Sequence, residues 1–191
     1  MPLVLRDWNV VATVDPERFG PAKFDLMQLG RVGETNFPGV VVMRVPGIDE
    51  FLGQLEHHLT GTSNFFEAVR TVRPVYRHFT FETPESFRSR IVEMVLQAAP
   101  SLQGRSFDAR VTLRGVTEEL DAESMRRDLR EAICERLEDE GERAVVETER
   151  ADVVLDVESV ERSGGLALWS RAEIERYPFL GFDGLEGTET R

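Results

Sequence analysis

The chain has 191 residues, 41% of them hydrophobic, so it is long enough and apolar enough to fold around one or two cores and is not an intrinsically disordered protein. Its formal net charge is −12, which disfavours contact with nucleic-acid phosphates unless the basic residues are concentrated in one region. No apolar run reaches the roughly 18 residues that span a bilayer, and the N-terminus lacks the pattern of a signal peptide, so we expect a soluble, cytoplasmic protein that does not bind membranes.

The first part of the chain, residues 1–75, predicts a β-α-β-α-β order of elements. Runs rich in valine at 8–14 and 37–45 are typical of buried strands, and the segment 68–81 alternates in the manner of extended chain. Two helical patterns separate these strands. This order predicts a small α+β layer with its helices on one face of a sheet.

The two helices of this first part are predicted from their start signals. Asp15 before a proline is typical of an N-cap, and Asp49 is expected to cap the second helix. Gly20-Pro21 is expected to interrupt the first helix, with a second start near Ala22, and the glycines of 30–33 predict a turn. The positions expected to face the core are Phe24, Met27 and Leu29 in the first helix, and Phe51, Leu52, Leu55 and Leu59 in the second.

The second part, residues 76–180, predicts further helices and strands in alternation. Thr83-Pro84 and Asp121 mark the starts of two amphipathic helices. Half-buried strands are expected at 107–113 and 153–158. Further along, 163–165 predicts a turn, 166–169 a strand and 172–175 a last short helix, and the tail 181–191 is expected to be disordered.

The second part also contains an ordered series of segments. They are residues 104–111 (GRSFDARV), 114–115 (RG), 151–158 (ADVVLDVE), 165–171 (GLALWSR) and 177–180 (YPFL). In this order, after a capped helix, the series resembles the THUMP domain, whose members carry a Gly-Lys-Ser-Phe segment and a later Pro-Asp-hydrophobic strand. The closest resemblance is to stand-alone archaeal and bacterial THUMP proteins, with a more distant one to the accessory protein of tRNA cytidine acetylation.

The resemblance covers residues 76–180 and carries expectations for the whole chain. It implies an α+β (α/β) fold in which an N-terminal ferredoxin-like domain, residues 1–75, precedes a THUMP domain with helices packed on a mixed sheet. The family binds tRNA, and in other members the domain is fused to synthetases, methyltransferases, pseudouridine synthases or deaminases. The partner implied for this chain is therefore tRNA.

The net positive charge is confined to one segment, residues 70–114, which makes RNA binding compatible with the overall charge. Residues 70–114 carry a net charge of +4, against −4 for 1–69 and −12 for 115–191. Arginine suits this role because its planar guanidinium contacts phosphate with two donors. The predicted RNA-binding residues are Arg70, Arg73, Arg77, Arg88, Arg90, Arg105, Arg110, Arg114, Ser170 and Arg171.

Most of these residues also have a structural interpretation. Arg110 and Arg114 share one face of a strand, and both could pair across the sheet with Asp156 and Glu158. The arginines at 70–77 border a strand whose aromatic side we expect to be core. Arg88 and Arg90 are typical of an exposed helix surface, whereas Ser170 and Arg171 are assigned only because they follow the last strand.

Two functions follow as hypotheses. In the first, the chain is a tRNA-binding accessory protein that presents tRNA to a modification enzyme acting in trans, such as an acetyltransferase or methyltransferase. In the second, it is an acidic protein–protein adaptor with weak RNA binding, and its acidic helix around Glu131, Glu135 and Glu138 is a docking surface. We expect no catalytic centre, cofactor or metal, because the sequence has no Gly-Lys-Ser/Thr phosphate loop, no dinucleotide fingerprint and no cysteine pair.

Overall fold

The computed structural model describes residues 5–61, 64–115 and 120–182, which form two sheets with helices packed against them. In chain order the strands are β1 (Val10–Val14), β2 (Arg31–Glu34), β3 (Val40–Arg44), β4 (Val69–Pro74), β5 (Arg77–Thr80), β6 (Ser106–Thr112), β7 (Val145–Val146), β8 (Val153–Val160) and β9 (Ser163–Ser170). The helices are α1 (Phe19–Leu29), α2 (Ile48–Thr60), α3 (Phe65–Ala68), α4 (Pro84–Ala98), α5 (Ala122–Asp139) and α6 (Arg171–Arg176). Short 3₁₀ turns at Pro16–Arg18, Ala99–Leu102 and Pro178–Leu180 complete the described elements.

The first sheet is antiparallel and has the strand order β2-β3-β1-β4. The sequence predicted β1, β3 and β4 but placed a turn at 30–33, where the structure has β2. With β2 included, and apart from the four-residue α3, the order of elements is β-α-β-β-α-β, which is the order of the ferredoxin-like motif. The missed strand β2 has four residues and only one large apolar residue, Val32. It therefore shows too little alternation of apolar and polar residues to be predicted as a strand.

Helix α1 differs from its prediction in both its start and its buried face. Gly20-Pro21 does not interrupt it, because Pro21 occupies the first turn, where backbone N–H groups have no intrahelical partner. Phe24 and Met27 are 65% and 55% exposed, and the core-facing residues are Ala22 and Leu26 instead. The core-facing stripe is Ala22, Leu26 and the partly buried Leu29, at helical spacing, and the sequence reading chose the larger Phe24 and Met27 of another face instead.

Helix α2 agrees better with its prediction. Phe51, Leu52 and Leu55 are buried as expected, whereas Leu59 is 37% exposed near the end of the helix. Gly47 stands at the N-cap without a side-chain hydrogen bond, so the expected cap at Asp49 is wrong. Asp49 lies in the first turn, where a negative charge still favours the helix dipole.

The second sheet is mixed and has the order β5-β9-β8-β6-β7. Strand β6 is parallel to β7 and β8, and β9 is antiparallel to β8 and β5. Helices α4 and α5 cover one face of this sheet and bury one large cluster of aliphatic and aromatic side chains. Both helices begin at the predicted caps, Thr83 and Asp121, whose side chains accept hydrogen bonds from Ser86 and Ser124 N–H groups.

The hairpin between β8 and β9 is displaced from its predicted position. The sequence placed a turn at 163–165, but β9 begins at Ser163, and the connection is Glu161-Arg162 with Glu161 at a φ of +55°. Gly164 and Gly165 lie inside the strand because their neighbours leave no room for a side chain. A Cβ on Gly165 would lie 2.5 Å from Val75 Cγ2, and one on Gly164 would lie 2.6 Å from Phe87 Cε2.

The other face of the second sheet packs against the first sheet and the C-terminal segment. One cluster joins Val72 of β4 to Trp169 of β9 and to Phe179 and Phe182 beyond α6. A smaller cluster joins Trp8 to Val160 at the end of β8. The proposed division at 75/76 remains a prediction, and these two cores cross it.

Two further expectations concern the tail and membranes. Residues 183–191 of the predicted disordered tail lie outside the described residues, whereas Phe182 is buried. Within the described ranges, no helix combines the length and apolar composition needed to cross a bilayer.

Candidate nucleic-acid interface

The ten predicted RNA-binding residues occupy four different environments. Three arginines are drawn into a buried cluster with two carboxylates, two arginines form ion pairs on the surface, and Ser170 serves as a helix cap. The remaining four arginines lie in two exposed places, one at the ends of β6 and β9 and one beside β5.

Arg73, Arg110 and Arg114 surround two carboxylates on the inner face of β8. Arg73 Nη1 and Arg114 Nη1 donate to the two carboxylate oxygens of Glu158 at 2.9 and 2.6 Å. Arg110 stands in register with Asp156, and its Nη1 donates to the Gly181 carbonyl at 2.7 Å. These side chains are largely buried and paired, which leaves them less open to phosphate than the exposed arginines, and their assignment to RNA binding stays a prediction.

The polar atoms of this cluster are tied to the C-terminal segment as well as to each other. Arg73 Nε donates to the Leu180 carbonyl at 3.0 Å. The Arg110 guanidinium carbon lies 5.2 Å from the centre of the Phe182 ring. The cluster therefore fastens residues 180–182 over the junction between β4 and the second sheet.

The two buried carboxylates have opposite pKa shifts. Burial raises the pKa of Asp156 to about 6, and the neighbouring charge of Glu158 adds to the rise. Burial acts in the same direction on Glu158, but Arg114 and Arg73 outweigh it and hold the pKa of Glu158 below its ordinary value. Neither oxygen of the Asp156 carboxylate has a hydrogen bond within the described structure. The same holds for the indole nitrogen of Trp169, which lies on β9 two residues after Ala167, the register partner of Asp156.

Two predicted arginines form ion pairs on the surface. Arg70 lies 3.3 Å from Asp15, and Arg88 on α4 lies 2.5 Å from Asp128 on α5. Such exposed pairs stabilise a fold by roughly 0–1 kcal/mol, so phosphate can compete for these cations.

Ser170 has a structural role at the start of α6. Its hydroxyl accepts a hydrogen bond from the Glu173 N–H at 3.3 Å, and the Glu173 carboxylate accepts from the Ser170 N–H and hydroxyl at 2.8 and 2.6 Å. This reciprocal arrangement is a capping box. The hydroxyl is therefore occupied by the cap instead of being directed at a ligand.

Arg105 and Arg171 meet at the end of the second sheet where β6 and β8 begin and β9 ends. Arg171 Nε and Nη2 donate to the Ala151 carbonyl at 3.1 and 2.9 Å, and Arg105 Nη2 lies 3.5 Å from the Asp152 carbonyl. The Ser106 N–H and hydroxyl hold the Asp152 carboxylate and lower its pKa. We call this pair the Arg105–Arg171 corner.

Arg77 and Arg90 line one open cleft between edge strand β5 and α4, which we call the β5–α4 cleft. Its volume is about 420 Å³, within the usual range for small-ligand sites. Arg77 donates to neutral acceptors, the Met94 carbonyl at 3.3 Å and Gln97 Oε1 at 2.5 Å. Arg90 has an exposed contact of 3.8 Å with Glu93. The residues lining the cleft are Tyr76, Arg77, His78, Phe79, Arg90, Glu93 and Met94.

The aromatic residues beside the cleft differ in exposure. Tyr76 is 48% exposed, and burial of its remainder, with the charge of Asp49, raises its pKa to about 12, so the phenol is neutral at physiological pH. His78 contacts Trp8, and burial lowers its pKa, which favours the neutral ring. Phe81 is buried and Phe79 packs against the same core, which confirms their predicted place in the core.

Sequence reasoning missed two members of the cleft, Glu93 and Met94. Both lie on α4, near its end, and only the packing of α4 beside β5 brings them next to Arg77. No signal in the sequence indicates that β5 is an edge strand. The described residues contain no group of three or more His, Cys, Asp or Glu side chains placed to hold a metal ion.

The fold is similar to that of several solved proteins. PH1313 from Pyrococcus horikoshii matches 84% of this chain with 11% identity and a TM-score of 0.57. A 4-thiouridine synthetase, solved in complex with RNA and ATP, matches 86% with 11% identity and a TM-score of 0.54. TrmN from Thermus thermophilus matches 83% with 16% identity and a TM-score of 0.52.

These likenesses concern the fold, and they cover only part of each solved chain. The aligned region is 53% of PH1313, 42% of the synthetase and 44% of TrmN. No protein-family model and no curated protein sequence matches the chain. The α+β, THUMP-like fold class expected from the sequence is confirmed by the two sheets and by these neighbours.

Proposed function

We propose that this chain binds RNA, specifically tRNA, and acts as an accessory protein for a tRNA-modifying enzyme. The observation that carries the proposal is the β5–α4 cleft, where Arg77, Arg90 and the exposed ring of Tyr76 border one opening. The likeness in fold to a synthetase solved with bound RNA supports it.

The cleft has the chemistry that a single-stranded or looped RNA segment requires. Arg77 has neutral partners, so its charge is available to a phosphate without separation from a carboxylate. The Arg90–Glu93 contact is long and exposed and therefore weak. Tyr76 adds a flat apolar surface on which a base can stack, an interaction of about 1–3 kcal/mol per base.

The Arg105–Arg171 corner provides a second contact on the same end of the sheet. Along the strands, Arg77 is in register with Leu166 of β9, which lies four residues before Ser170 at the corner. Across the sheet, three strand spacings separate β5 from β6, which follows Arg105. From standard strand dimensions the two sites are on the order of 20 Å apart. An RNA of several nucleotides would contact both.

The accessory role is the finer part of the proposal. The given sequence has no Gly-Lys-Ser/Thr phosphate loop and no dinucleotide fingerprint. We therefore propose that a separate enzyme, such as an acetyltransferase or methyltransferase, modifies the bound tRNA, and that this chain needs no cofactor or metal.

The proposal is tested by titrating the full chain with bulk tRNA in a filter-binding assay at several salt concentrations. The double variant Arg77→Gln/Arg90→Gln is expected to bind at least about tenfold more weakly and to lower the salt slope by about 2, because two phosphate contacts are lost. Tyr76→Ala is expected to weaken binding while Tyr76→Phe retains it.

Arg88→Gln is the matched control, because Arg88 is on the same helix but pairs with Asp128. Because Arg88 lies outside the lining of the cleft, this variant is expected to weaken tRNA binding clearly less than the double variant does. If tRNA shows no affinity at low salt, or if Arg88→Gln and the double variant weaken binding equally, the assignment of this cleft to RNA is wrong.

A protein–protein adaptor is the second candidate function, favoured by the ion pairing of the basic segment, residues 70–114. Arg70, Arg73, Arg88 and Arg114 each contact a carboxylate, which reduces the open positive surface. If the chain is an adaptor, a pull-down with it is expected to recover a protein partner even after nuclease treatment, and the chain is expected to show no salt-dependent tRNA binding.

A further inference from the structure

Strand β7 forms one outer edge of the second sheet and carries two exposed valines. The sheet order ends at β7, and no described strand lies beyond it. Val145 is 63% exposed and Val146 is 39% exposed. Exposed apolar edge strands present an unpaired row of backbone groups to other chains.

The backbone hydrogen bonds of β7 show which residue faces outward. The Val145 N–H donates to the Arg105 carbonyl at 3.2 Å, and the Glu147 N–H donates to the Phe107 carbonyl at 2.9 Å. In a parallel pair the residue between two such donors directs its N–H and C=O to the opposite side. Val146 therefore presents its backbone groups to the open edge.

The surroundings of this edge are strongly acidic. Residues 131–150, which run from the second half of α5 to the segment before β8, contain eight acidic and three basic side chains. Glu142, Glu147 and Glu149 are exposed beside β7, and the basic side chain of Arg136 is already paired with Glu140 at 2.6 Å. The edge thus combines an open backbone, two apolar side chains and excess negative charge.

We propose that β7 binds an extended segment of a partner protein in which basic residues alternate with β-branched ones. The segment adds a strand beside Val146. Because neighbouring strand residues point to opposite faces, its apolar side chains lie on the face of Val146 and its cations lie on the other face, beside Glu147. Pairing with a second copy of this edge would bring like charges together, and RNA would be repelled in the same way. This surface is on the opposite edge of the sheet from the β5–α4 cleft and beside the Arg105–Arg171 corner, because Val145 donates to the Arg105 carbonyl. Binding of the segment does not require RNA binding.

The test uses a fluorescein-labelled peptide of four Arg-Val repeats and the full chain, with fluorescence anisotropy as the measurement. Saturable binding with a dissociation constant below about 100 µM is expected at low salt. The same peptide with N-methylated valines, which cannot donate to the edge, is expected to bind about tenfold more weakly or not at all. Equal binding of both peptides, or no saturable binding of the first, overturns the proposal.

Val146→Pro is the informative variant, because a proline is tolerated where the N–H faces away from the sheet. It is expected to keep the melting temperature and tRNA affinity of the unmodified chain and to lose at least about tenfold in peptide affinity. Arg77→Gln/Arg90→Gln is expected to do the reverse, so failure of either function is distinguished from failure of the other. If Val146→Pro binds the peptide as well as the unmodified chain does, the proposal is wrong. It is also wrong if analytical ultracentrifugation shows that the unmodified chain self-associates and that Val146→Pro does not, because the edge then binds a second copy of the chain.

Discussion

At the scale of single residues, Asp156 is where burial and charge conflict most directly. Its carboxylate is fully buried, has no hydrogen-bond partner in the described structure, and lies beside the second carboxylate of Glu158. Arg73, Arg110 and Arg114 attract it, but not enough to offset desolvation. The pKa near 6 means that the folded chain takes up a proton that the unfolded chain, with its ordinary aspartate, would release.

Replacing this carboxyl group is expected to make stability less dependent on pH. Because the folded pKa is raised, Asp156 contributes stability that is fully present below about pH 4 and is lost as pH rises through 6. Asp156→Asn cannot titrate, so its stability relative to the unmodified chain should increase by on the order of 2 kcal/mol between pH 4 and pH 7. Urea unfolding at a series of pH values measures this difference, and a difference that stays constant with pH would contradict the raised pKa.

At the scale of elements, the glycines of β9 allow the two layers to approach. Gly165 faces Val75. Glycine is required there because a side chain would overlap Val75, and the backbone conformation itself would accept other residues. Gly53 in α2 is the opposite case, because a Cβ there would meet nothing within 4 Å. The same substitution therefore has opposite expected effects at the two sites.

Gly165→Ala is expected to destabilise the chain by about 1–3 kcal/mol, because the added methyl group overlaps Val75. Gly53→Ala, the control, is expected to stabilise it by about 0.5–1 kcal/mol through helix propensity. Both are measured as changes in the free energy of unfolding in urea. If Gly165→Ala is as stable as the unmodified chain, the packing of β9 against Val75 is looser than described.

At the scale of the whole molecule, the two sheets depend on one another. Arg73 of β4 shares Glu158 with Arg114, and the aromatic residues after α6 complete the core of the first sheet. Breaking a buried pair by removing one partner is costly because it leaves charge without compensation. The contacts of Glu158 with Arg73 and Arg114 therefore contribute to the stability of both sheets.

Glu158→Gln is expected to lower the free energy of unfolding by about 3–5 kcal/mol, because Arg73 and Arg114 lose their shared counterion. The loss should appear as a shift of a single transition, followed identically by tryptophan fluorescence and far-ultraviolet circular dichroism. Asp128→Asn, which removes an exposed partner of Arg88, should change stability by no more than about 1 kcal/mol. Two separated transitions in the unmodified chain would show that the two parts fold independently.

The sequence by itself determined the elements whose signals are local. The caps at Thr83 and Asp121 and the apolar faces of α4 and α5 follow from neighbouring residues, and they support the correct fold class. Alternation located β8, but the half-buried strand it predicted there is wrong, because every residue of Val153–Val160 is buried. The sequence failed where the local signal was weak or ambiguous, as in β2, and at the glycines of β9, which were taken for a turn. The pattern of neighbouring residues indicates which conformation a segment prefers. It does not indicate which side chains from other strands or helices pack against that segment.

Only the tertiary structure decided which basic residues remain available. In the sequence Arg73, Arg77, Arg105, Arg110 and Arg114 are equivalent members of one basic segment. Folding places Arg73, Arg110 and Arg114 against buried carboxylates of β8 and leaves Arg77 and Arg105 at the surface. The reason is that the partner of a charge is set by strand order and register, which join residues 44 to 85 positions apart in the chain.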